Sequence, residues 1–321
     1  MRLATFVQDG VPRAAVVQGE NLIRFAKDVT VLGLVQAGRD ALLAAAGQAL
    51  AEADAVPLAG ARLLAPLHPP SIRDFVAFEA HIEGVVQSLD GLSAVPEVWY
   101  PRPAFYFTNP HALYGAYDDV PVPPLCRIFD FECEVGAVIG RAGTNLSPEQ
   151  AREHIVGYTI FNDWSARDLQ KPERALGLGF SKGKDSANTL GPFLVTADEV
   201  EHRRDDEGFL DLTMTIELNG EQIGSDSLAS MSWTFDELVA HASRGTWVRP
   251  GDVLGSGTCG TGCLAEIWGR RGERTPPPLS PGDVVTLSVE HLGTISNRVV
   301  ASDAVVHPIP PARRSSRGVR H

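Results

Sequence analysis

Two acidic residues, Glu132 and Glu134, stand at alternate positions of an apolar run, residues 131–140 (FECEVGAVIG). The run has the composition of a β-strand, where side chains two apart share a face and lie roughly 6–7 Å from each other. Two carboxylates this close repel each other and are costly to bury unless a cation, a shared proton or water relieves them. A hard divalent cation is the natural partner. The alternative is a solvated outer face of an antiparallel strand.

A third acid follows the next strand-like run. Residues 155–162 predict a strand that ends at Asp163, and a polar stretch predicted to be helical, residues 164–170, comes after it. Sites tend to be built where a strand opens into a loop, although a single acid there is also a common helix cap. Taken with the glutamate pair, Asp163 offers the oxygen ligands that Mg²⁺, Mn²⁺ or Ca²⁺ takes.

The motifs around these acids resemble consecutive signatures of the fumarylacetoacetate hydrolase family. The resemblance extends from about residue 71 to residue 306 and rests on Glu132-Cys133-Glu134, on residues 162–171 (NDWSARDLQK) and on residues 183–192 (GKDSANTLGP). It implies an α+β, β-rich fold, in which a mixed β-roll catalytic core binds one divalent cation. It also implies a homodimer and, as the range of reactions, cleavage, decarboxylation, hydration or isomerisation of 2-oxo and 2,4-dioxo acids.

Upstream, residues 74–81 (DFVAFEAH) resemble the fumarylacetoacetase version of this region, in which an acid seven residues before a histidine completes the metal shell. By this resemblance Asp74 is the fourth carboxylate ligand, beside Glu132, Glu134 and Asp163. The same resemblance makes His81 the base that activates water, although a lone histidine is more often structural.

Residues 255–266 (GSGTCGTGCLAE) resemble the hydrolase stretch that ends in a glutamate paired with that histidine. Glu266 would then orient the imidazole and stabilise its protonated form, as in other base-plus-orienter pairs. The alternative for Glu266 is an ordinary acid on the following strand. Family decarboxylases often place a glutamate three residues after the histidine, and Gly84 stands there instead, which counts against a decarboxylase.

Four further residues take their roles from the resemblance. Lys184 matches the lysine that approaches the metal and the substrate oxygens, where its charge would stabilise a developing oxyanion. Asn188 matches a small polar residue that helps to hold the cation, and Gln170 matches a substrate-binding position. Arg174 replaces a tyrosine of fumarylacetoacetase, and its guanidinium would clamp a substrate carboxylate through two hydrogen bonds.

Composition agrees with an enzyme that has a large core. The chain has 321 residues, of which 44% are hydrophobic and 21% charged, and a net charge of −12 argues against nucleic-acid binding. No run approaches the roughly 20 apolar residues of a membrane span, and the start lacks the apolar region of a secretion signal, so a cytoplasmic protein is expected. The cysteines are predicted to be buried thiols rather than disulfides or zinc ligands: Cys126, Cys133, Cys259 and Cys263.

Three segments are predicted along the chain. Residues 1–68, which include an Ala/Leu-rich helical stretch at about 40–54, form the small N-terminal domain, and residues 69–307 form the catalytic domain. The Pro-rich and then basic tail, residues 308–321, is predicted to be disordered because it has nothing to pack. Two capping boxes, starting at Ser147 and Thr234, predict helix starts.

The sequence therefore predicts a hydrolase that depends on one divalent cation, with Mg²⁺ ahead of Mn²⁺ and Ca²⁺, and cleaves a carbon–carbon bond in a small 2,4-dioxo acid. An isomerase, hydratase or oxaloacetate-type decarboxylase of the same superfamily is the alternative, because each needs the metal and the enolate but no nucleophilic water on the keto carbon. A non-catalytic protein that binds oxo acids through a metal is the alternative from another class. It would keep the carboxylates but have no need of His81 and Glu266.

Overall fold

The computed structural model describes residues 1–90 and 94–313. Its strands are β1 (Arg2–Gln8), β2 (Val11–Gln18), β3 (Asn21–Arg24), β4 (Ala55–Pro57), β5 (Ile72–Phe75), β6 (Phe105–Thr108), β7 (Leu113–Tyr114), β8 (Val120–Pro121), β9 (Phe129–Asp130), β10 (Cys133–Ile139), β11 (Ile155–Asp163), β12 (Ser165–Ala166), β13 (Asn188–Thr196), β14 (Thr213–Leu218), β15 (Glu221–Ser227), β16 (Val253–Gly255), β17 (Val284–Val289) and β18 (Gly293–Val300). Its helices are α1 (Val31–Ala37), α2 (Arg39–Glu52), α3 (Glu79–Asp90), α4 (Pro148–Arg152), α5 (Arg167–Ala175), α6 (Ala197–Val200), α7 (Phe235–Ala242) and α8 (Leu264–Arg271).

A large mixed sheet forms the centre of the molecule. Its strand order is β4-β3-β2-β1-β13-β11-β10-β16-β5-β6, with β7 beside β13. The pairs β16/β5 and β13/β7 are parallel and the others are antiparallel. Strands β10 and β13 are buried along their whole length, which explains why their sequences are nearly continuous apolar runs rather than alternating ones. The prediction of an α+β, strand-rich fold is confirmed.

A second sheet, in the order β15-β14-β17-β18-β8, completes the core. Strand β14 alternates in burial, with Met214 and Ile216 buried between half-exposed neighbours, as expected for a strand with one face on the core. These side chains share one hydrophobic cluster with Val135 of β10 and Ile160 of β11. The central strands β10 and β11 therefore pack against the second sheet.

The N-terminal strands extend the large sheet. Strand β1 pairs with β13, with Leu3 opposite Leu194, and α1 and α2 contribute Val35 and Leu42 to a second hydrophobic cluster that also contains Leu3. The division of the chain near residue 68 into two domains stays a prediction.

Several local expectations are confirmed, and others shift by a few residues. Both capping boxes are present, at the starts of α4 and α7. The strand predicted for residues 131–140 begins at Cys133, one residue after Glu132, and the helix predicted at 164–170 begins at Arg167 after the short β12. Two β-ladder residues, Ser165 and Ala166, pair with β9 and delay the helix.

The four cysteines are free thiols, as predicted, and three of them are buried, whereas Cys126 is only half-buried. Of the predicted tail, residues 308–313 are exposed and without regular structure, and residues 314–321 lie outside the described residues. Within the described part of the chain, no helix combines the length and the apolar character that crossing a membrane requires.

Candidate active site

Three strands of the large sheet bring four acidic side chains together: Asp74, Glu132, Glu134 and Asp163, here called the carboxylate cluster. Asp74 lies on β5, Glu132 immediately precedes β10, Glu134 lies on β10, and Asp163 ends β11. One oxygen from each residue lies within 4.8 Å of the others, and all four residues are buried. The alternative of a solvated outer face for the glutamate pair is therefore wrong.

A glycine makes this close approach possible. Gly255 on β16 lies between β5 and β10, opposite Asp74 and Gly136. A Cβ atom at Gly255 would come within 3.0 Å of Asp74 Oδ1 and to 2.9 Å from Glu134 Oε2. Only a residue without a side chain leaves room for both carboxylates.

The charges of the carboxylate cluster are not balanced by protein groups alone. Burial, followed by neighbouring carboxylates, raises the pKa values of Glu134 and Asp163 well above their usual range, and burial also raises the pKa of Asp74. For Glu132, burial is outweighed by the charges of Lys184 and Arg167, which lower its pKa to about 2. Protons therefore compete with a cation for three of the four carboxylates.

The cluster can hold a divalent cation. Among the described residues, Asp74 Oδ1 and Asp163 Oδ1 are buried oxygens without a hydrogen-bond partner. Buried oxygens of ionised carboxylates need a partner, and an all-oxygen set of this kind suits a hard cation.

Lys184 lies directly beside the cluster. Its ammonium is buried, 2.5 Å from Asp163 Oδ2 and in contact with Glu132 Oε2. Burial alone would lower its pKa, but the two carboxylates outweigh that effect and raise it, so the side chain stays a cation. Gly183 allows the turn that carries Lys184 to pack on α5, because a Cβ there would come within 3.0 Å of the Gln170 side chain.

Asn188, predicted to support the metal, makes its contacts elsewhere. Its amide donates to the backbone oxygen of Asn109 at 2.8 Å and to Thr108 Oγ1 at 3.3 Å. Thr108 in turn donates to the backbone oxygen of Lys184 at 2.9 Å. These contacts fix the turn that carries Lys184, and a direct role of Asn188 at the cation stays a prediction.

His81 and Glu266 meet in the structure. His81 lies in the first turn of α3, and its Nδ1 is 3.4 Å from Glu266 Oε2. Glu266 lies in the first turn of α8, so the alternative that placed it on a strand is wrong. Its other oxygen accepts hydrogen bonds from the backbone amide of Thr261 at 2.8 Å and from Arg270 Nε at 2.9 Å. The carboxylate is thus held for its contact with the imidazole.

The side chain of Glu266 occupies the space beside Gly84. A Cβ atom at Gly84 would come within 3.0 Å of Glu266 Cγ and to 3.3 Å from the backbone oxygen of Glu266. The missing side chain on α3 and the glutamate on α8 are therefore complementary, and the carboxylate beside His81 comes from α8.

Four functional side chains were missed in the sequence. The hydroxyl of Tyr106 on β6 lies 2.5 Å from Asp74 Oδ2 and also contacts Asp163 Oδ2. Burial and the surrounding carboxylates raise its pKa well above its usual value, so it stays a protonated donor. Tyr106 lies outside every motif quoted above, so only the pairing of β6 with β5 reveals it.

Asp130 and Arg167 form a buried ion pair that connects the start of α8 to the carboxylate cluster. Asp130 accepts hydrogen bonds from Arg167 Nε at 2.9 Å and from the backbone amides of Leu264 and Ala265 at 2.9 and 3.0 Å. Arg167 also pairs with Glu132 Oε1 at 2.7 Å. The fourth missed residue, Arg270, lies one helical turn after Glu266, a spacing that becomes visible only once Glu266 is placed on a helix.

Several of these groups line one cavity of about 360 Å³. Gln170 is buried in its wall, and its Nε2 has no hydrogen-bond partner among the described residues. Arg174 lies on the exposed side of α5 and also lines the cavity. The remaining polar lining consists of Asp74, His81, Tyr106, Glu132, Glu134, Arg167, Lys184 and Thr258.

Comparison with known proteins gives one family. The model of the fumarylacetoacetate (FAA) hydrolase C-terminal region matches residues 71–300. The oxaloacetate tautomerase YisK of Bacillus subtilis is 29% identical over 244 residues, which cover 75% of this chain and 74% of that protein. The mitochondrial oxaloacetate tautomerase fahd2 of Xenopus laevis is 34% identical over 59% of this chain and 55% of its own length.

Solved structures agree on the fold. The fumarylacetoacetate hydrolase of Exiguobacterium antarcticum is 28% identical, with a TM-score of 0.69 over 94% of this chain and the whole of that one. A maleylpyruvate hydrolase from Sphingobium sp. SYK-6, solved with manganese(II) and pyruvate, has a TM-score of 0.71 over 94% of this chain and all of that chain. It is 22% identical, and this likeness shows the fold alone.

Proposed function

Because the chain belongs to the fumarylacetoacetate hydrolase family, we propose that it is a divalent-cation-dependent hydrolase that cleaves a carbon–carbon bond in a small 2,4-dioxo acid, such as an acylpyruvate. The observation that supports this proposal best is the position of the His81–Glu266 pair. His81 lines the same cavity as Asp74, Glu132 and Glu134, and Glu266 contacts its Nδ1 atom. A cation site alone would serve any reaction of this family, whereas hydrolysis also needs a base for water.

The cation would be held by the carboxylate cluster, with Mg²⁺ first and Mn²⁺ or Ca²⁺ as alternatives, because all four ligands are oxygens. When bound, such a cation polarises the oxo groups of the substrate as a Lewis acid.

His81 takes a proton from water, and the hydroxide attacks the keto carbon of the acyl group. The bond between this carbon and the neighbouring methylene carbon then breaks, and its electrons pass to the pyruvate part as an enolate. Glu266 orients His81 and stabilises the imidazolium, and it is itself held by Arg270 and the amide of Thr261. The imidazolium returns its proton to the products.

Three cationic or polar groups would hold the pyruvate part of the substrate. Lys184 lies beside the cluster and stays protonated, so it stabilises the negative charge that develops on the enolate oxygen. Gln170 offers a substrate oxygen its buried amide hydrogens, which have no partner among the described residues. Arg174 would bind the carboxylate from the exposed side of the cavity.

A second candidate is an oxaloacetate tautomerase, which is what several relatives at 29–34% identity are named. In that reaction His81 would move a proton at the carbon between the two carbonyl groups, and no water would be cleaved. Isomerisation, hydration and decarboxylation need the cation in the same way. The absence of a glutamate at Gly84 counts against a decarboxylase of the type described above.

The test is a substrate panel with purified protein and Mg²⁺ or Mn²⁺. Acylpyruvates and oxaloacetate are followed by their enol absorbance, and the products are identified by mass spectrometry. Hydrolysis yields two acids, decarboxylation yields CO₂, and tautomerisation changes the enol signal without new products. Enol decay of oxaloacetate alone would overturn the hydrolase proposal in favour of the tautomerase. Binding of oxo acids with no turnover of any compound would favour the non-catalytic alternative.

We also propose that the protein is a cytoplasmic homodimer without nucleic-acid or membrane partners. Sedimentation analysis measures the oligomeric state, and a monomer at micromolar concentration would contradict this part of the proposal.

A further inference from the structure

The lining of the candidate cavity has a polar part and an apolar part. Besides the polar groups described above, its described lining contains seven side chains without polar atoms. Two of them are Phe75 and Phe180, and the other five are here called the apolar wall: Val76, Ile82, Val85, Ala104 and Phe105. They come from the end of β5, the exposed start of β6 and one face of α3.

The apolar wall is one continuous surface. The backbone amide of Val76 donates to the oxygen of Ala104 at 3.3 Å, which joins the end of β5 to the start of β6. Ile82 and Val85 are three residues apart on α3 and therefore share a face of that helix. Trp99 helps to hold the wall in place, because its indole nitrogen donates a hydrogen bond to the backbone oxygen of Val76 at 2.9 Å.

The wall continues beyond the first cavity. Ile82 and Ala104 also line a second cavity of about 410 Å³, whose other described walls are Pro96, Val98, Trp99, Arg102 and Pro103. An extended ligand that runs past Ile82 and Ala104 therefore meets mainly apolar side chains, and Arg102 is the one cation among the described residues that line this second cavity. A first cavity of about 360 Å³ already lies in the size range of sites that hold drug-sized ligands, which is more than a four-carbon acid fills.

The cations of the first cavity lie with its polar groups. Arg167 is buried between Asp130 and Glu132, and Lys184 contacts Glu132 and Asp163. Arg174 belongs to α5, an element that contributes nothing to the apolar wall. A terminal carboxylate on the acyl group would lose water against this wall without gaining a charged partner from it.

We infer that the acyl group of the substrate is a chain or ring without a terminal charge, bound along the apolar wall. This inference rests on the proposed function and narrows it to acylpyruvates with apolar acyl groups. Val76, Ile82, Val85, Ala104 and Phe105 are then specificity-determining residues, because they contact the part of the substrate that does not react.

The first experiment compares kcat/KM for acylpyruvates with unbranched acyl groups of two to eight carbons and for the same chains ending in a carboxylate. Each added methylene should raise kcat/KM about fourfold until the wall is covered. A terminal carboxylate on a chain short enough to end on the apolar wall should remove most of that gain. A preference for the carboxylate-terminated series would overturn the inference.

Two variants test the wall itself. Ala104→Leu narrows the passage between the two cavities and should lower kcat/KM about tenfold more for the eight-carbon acyl group than for the two-carbon one. Ala44→Leu, at an exposed position of α2, is the matched control and should change neither value. Val85→Lys should shift the preference toward carboxylate-terminated chains. Equal kcat/KM values in Ala104→Leu and the control for every chain length would contradict the assignment.

Binding separates this inference from the proposed reaction. Calorimetry in the presence of Mn²⁺ compares two non-cleavable ligands, an unbranched eight-carbon 2-oxo monoacid and a five-carbon 2-oxo diacid. Tighter binding of the monoacid, lost in Ala104→Leu, supports the apolar wall even if no acylpyruvate is hydrolysed. Tighter binding of the diacid overturns the wall assignment even if hydrolysis is found.

Discussion

Gly84→Ala should impair the candidate base without touching the cation. The added methyl group would lie within 3.0 Å of Glu266 Cγ, whereas ordinary contact begins at 3.4 Å, so Glu266 has to move by several tenths of an ångström or more. The contact between His81 and Glu266 is already 3.4 Å long and leaves little margin. A misplacement of about 1 Å near reacting groups can cost about 10²-fold in rate.

We therefore expect kcat to fall by roughly 10- to 100-fold in Gly84→Ala. In an ordinary helix interior this substitution stabilises by about 1 kcal/mol, but overpacking costs about 1–3 kcal/mol, so the net effect should be a loss of up to about 2 kcal/mol. Gly47→Ala is the matched control, because Gly47 also lies inside a helix and has nothing within 4 Å of an added Cβ.

The assay combines steady-state kinetics, urea unfolding and Mn²⁺ calorimetry on both variants. Gly47→Ala should keep normal turnover and gain stability, whereas Gly84→Ala should lose turnover and keep its affinity for Mn²⁺. Turnover within twofold of the parent protein in Gly84→Ala would refute the claim that the position of Glu266 matters for the reaction.

Other outcomes test the cation site, the base and their connection. Glu132→Gln should weaken Mn²⁺ binding by about tenfold or more in calorimetry, because the amide keeps the shape but removes the charge. His81→Ala should lower turnover by roughly 10²–10⁴ with Mn²⁺ affinity intact, and adding Glu266→Gln should cost little more, since residues that act as a unit are not additive. Asp130→Asn should lower both Mn²⁺ affinity and turnover by about tenfold; normal values for both would remove its positioning role. In the metal-free protein, the three cluster carboxyls with raised pKa values keep protons that the unfolded chain releases, so their contribution to the free energy of unfolding falls as the pH rises above about 4. Mn²⁺ should therefore raise the melting temperature more at pH 8 than at pH 5, and the opposite order in thermal scans would contradict those shifts.

The sequence was most informative where the candidate site residues lie in short motifs. The alternation of Glu132 and Glu134 follows from strand geometry alone, and the motif that ends at Glu266 led to its pairing with His81. Elements with strong local signals, such as the helix starts at Ser147 and Thr234, were also predictable, because a capping box depends on residues three apart.

What the sequence did not reveal depends on contacts between distant segments. Tyr106 reaches the cluster only because β6 pairs with β5, and Asp130 becomes important only because α8 begins beside it. The sequence left a strand open as the position of Glu266, because the Gly-rich run before it has no periodic pattern of apolar residues. The side chain of Cys263, which accepts a hydrogen bond from the Glu266 amide, starts a helix there.

Because of the buried carboxylate of Asp130, the start of α8 should respond to metal binding in the carboxylate cluster. This carboxylate holds the amides of Leu264 and Ala265 and, through Arg167, is connected to Glu132. A cation bound to Glu132 weakens the attraction between Glu132 and Arg167. The ion pair of Arg167 with Asp130 must then change as well. The nuclear magnetic resonance signals of these two amides should therefore shift with metal occupancy, so that loading can be titrated in the absence of any substrate.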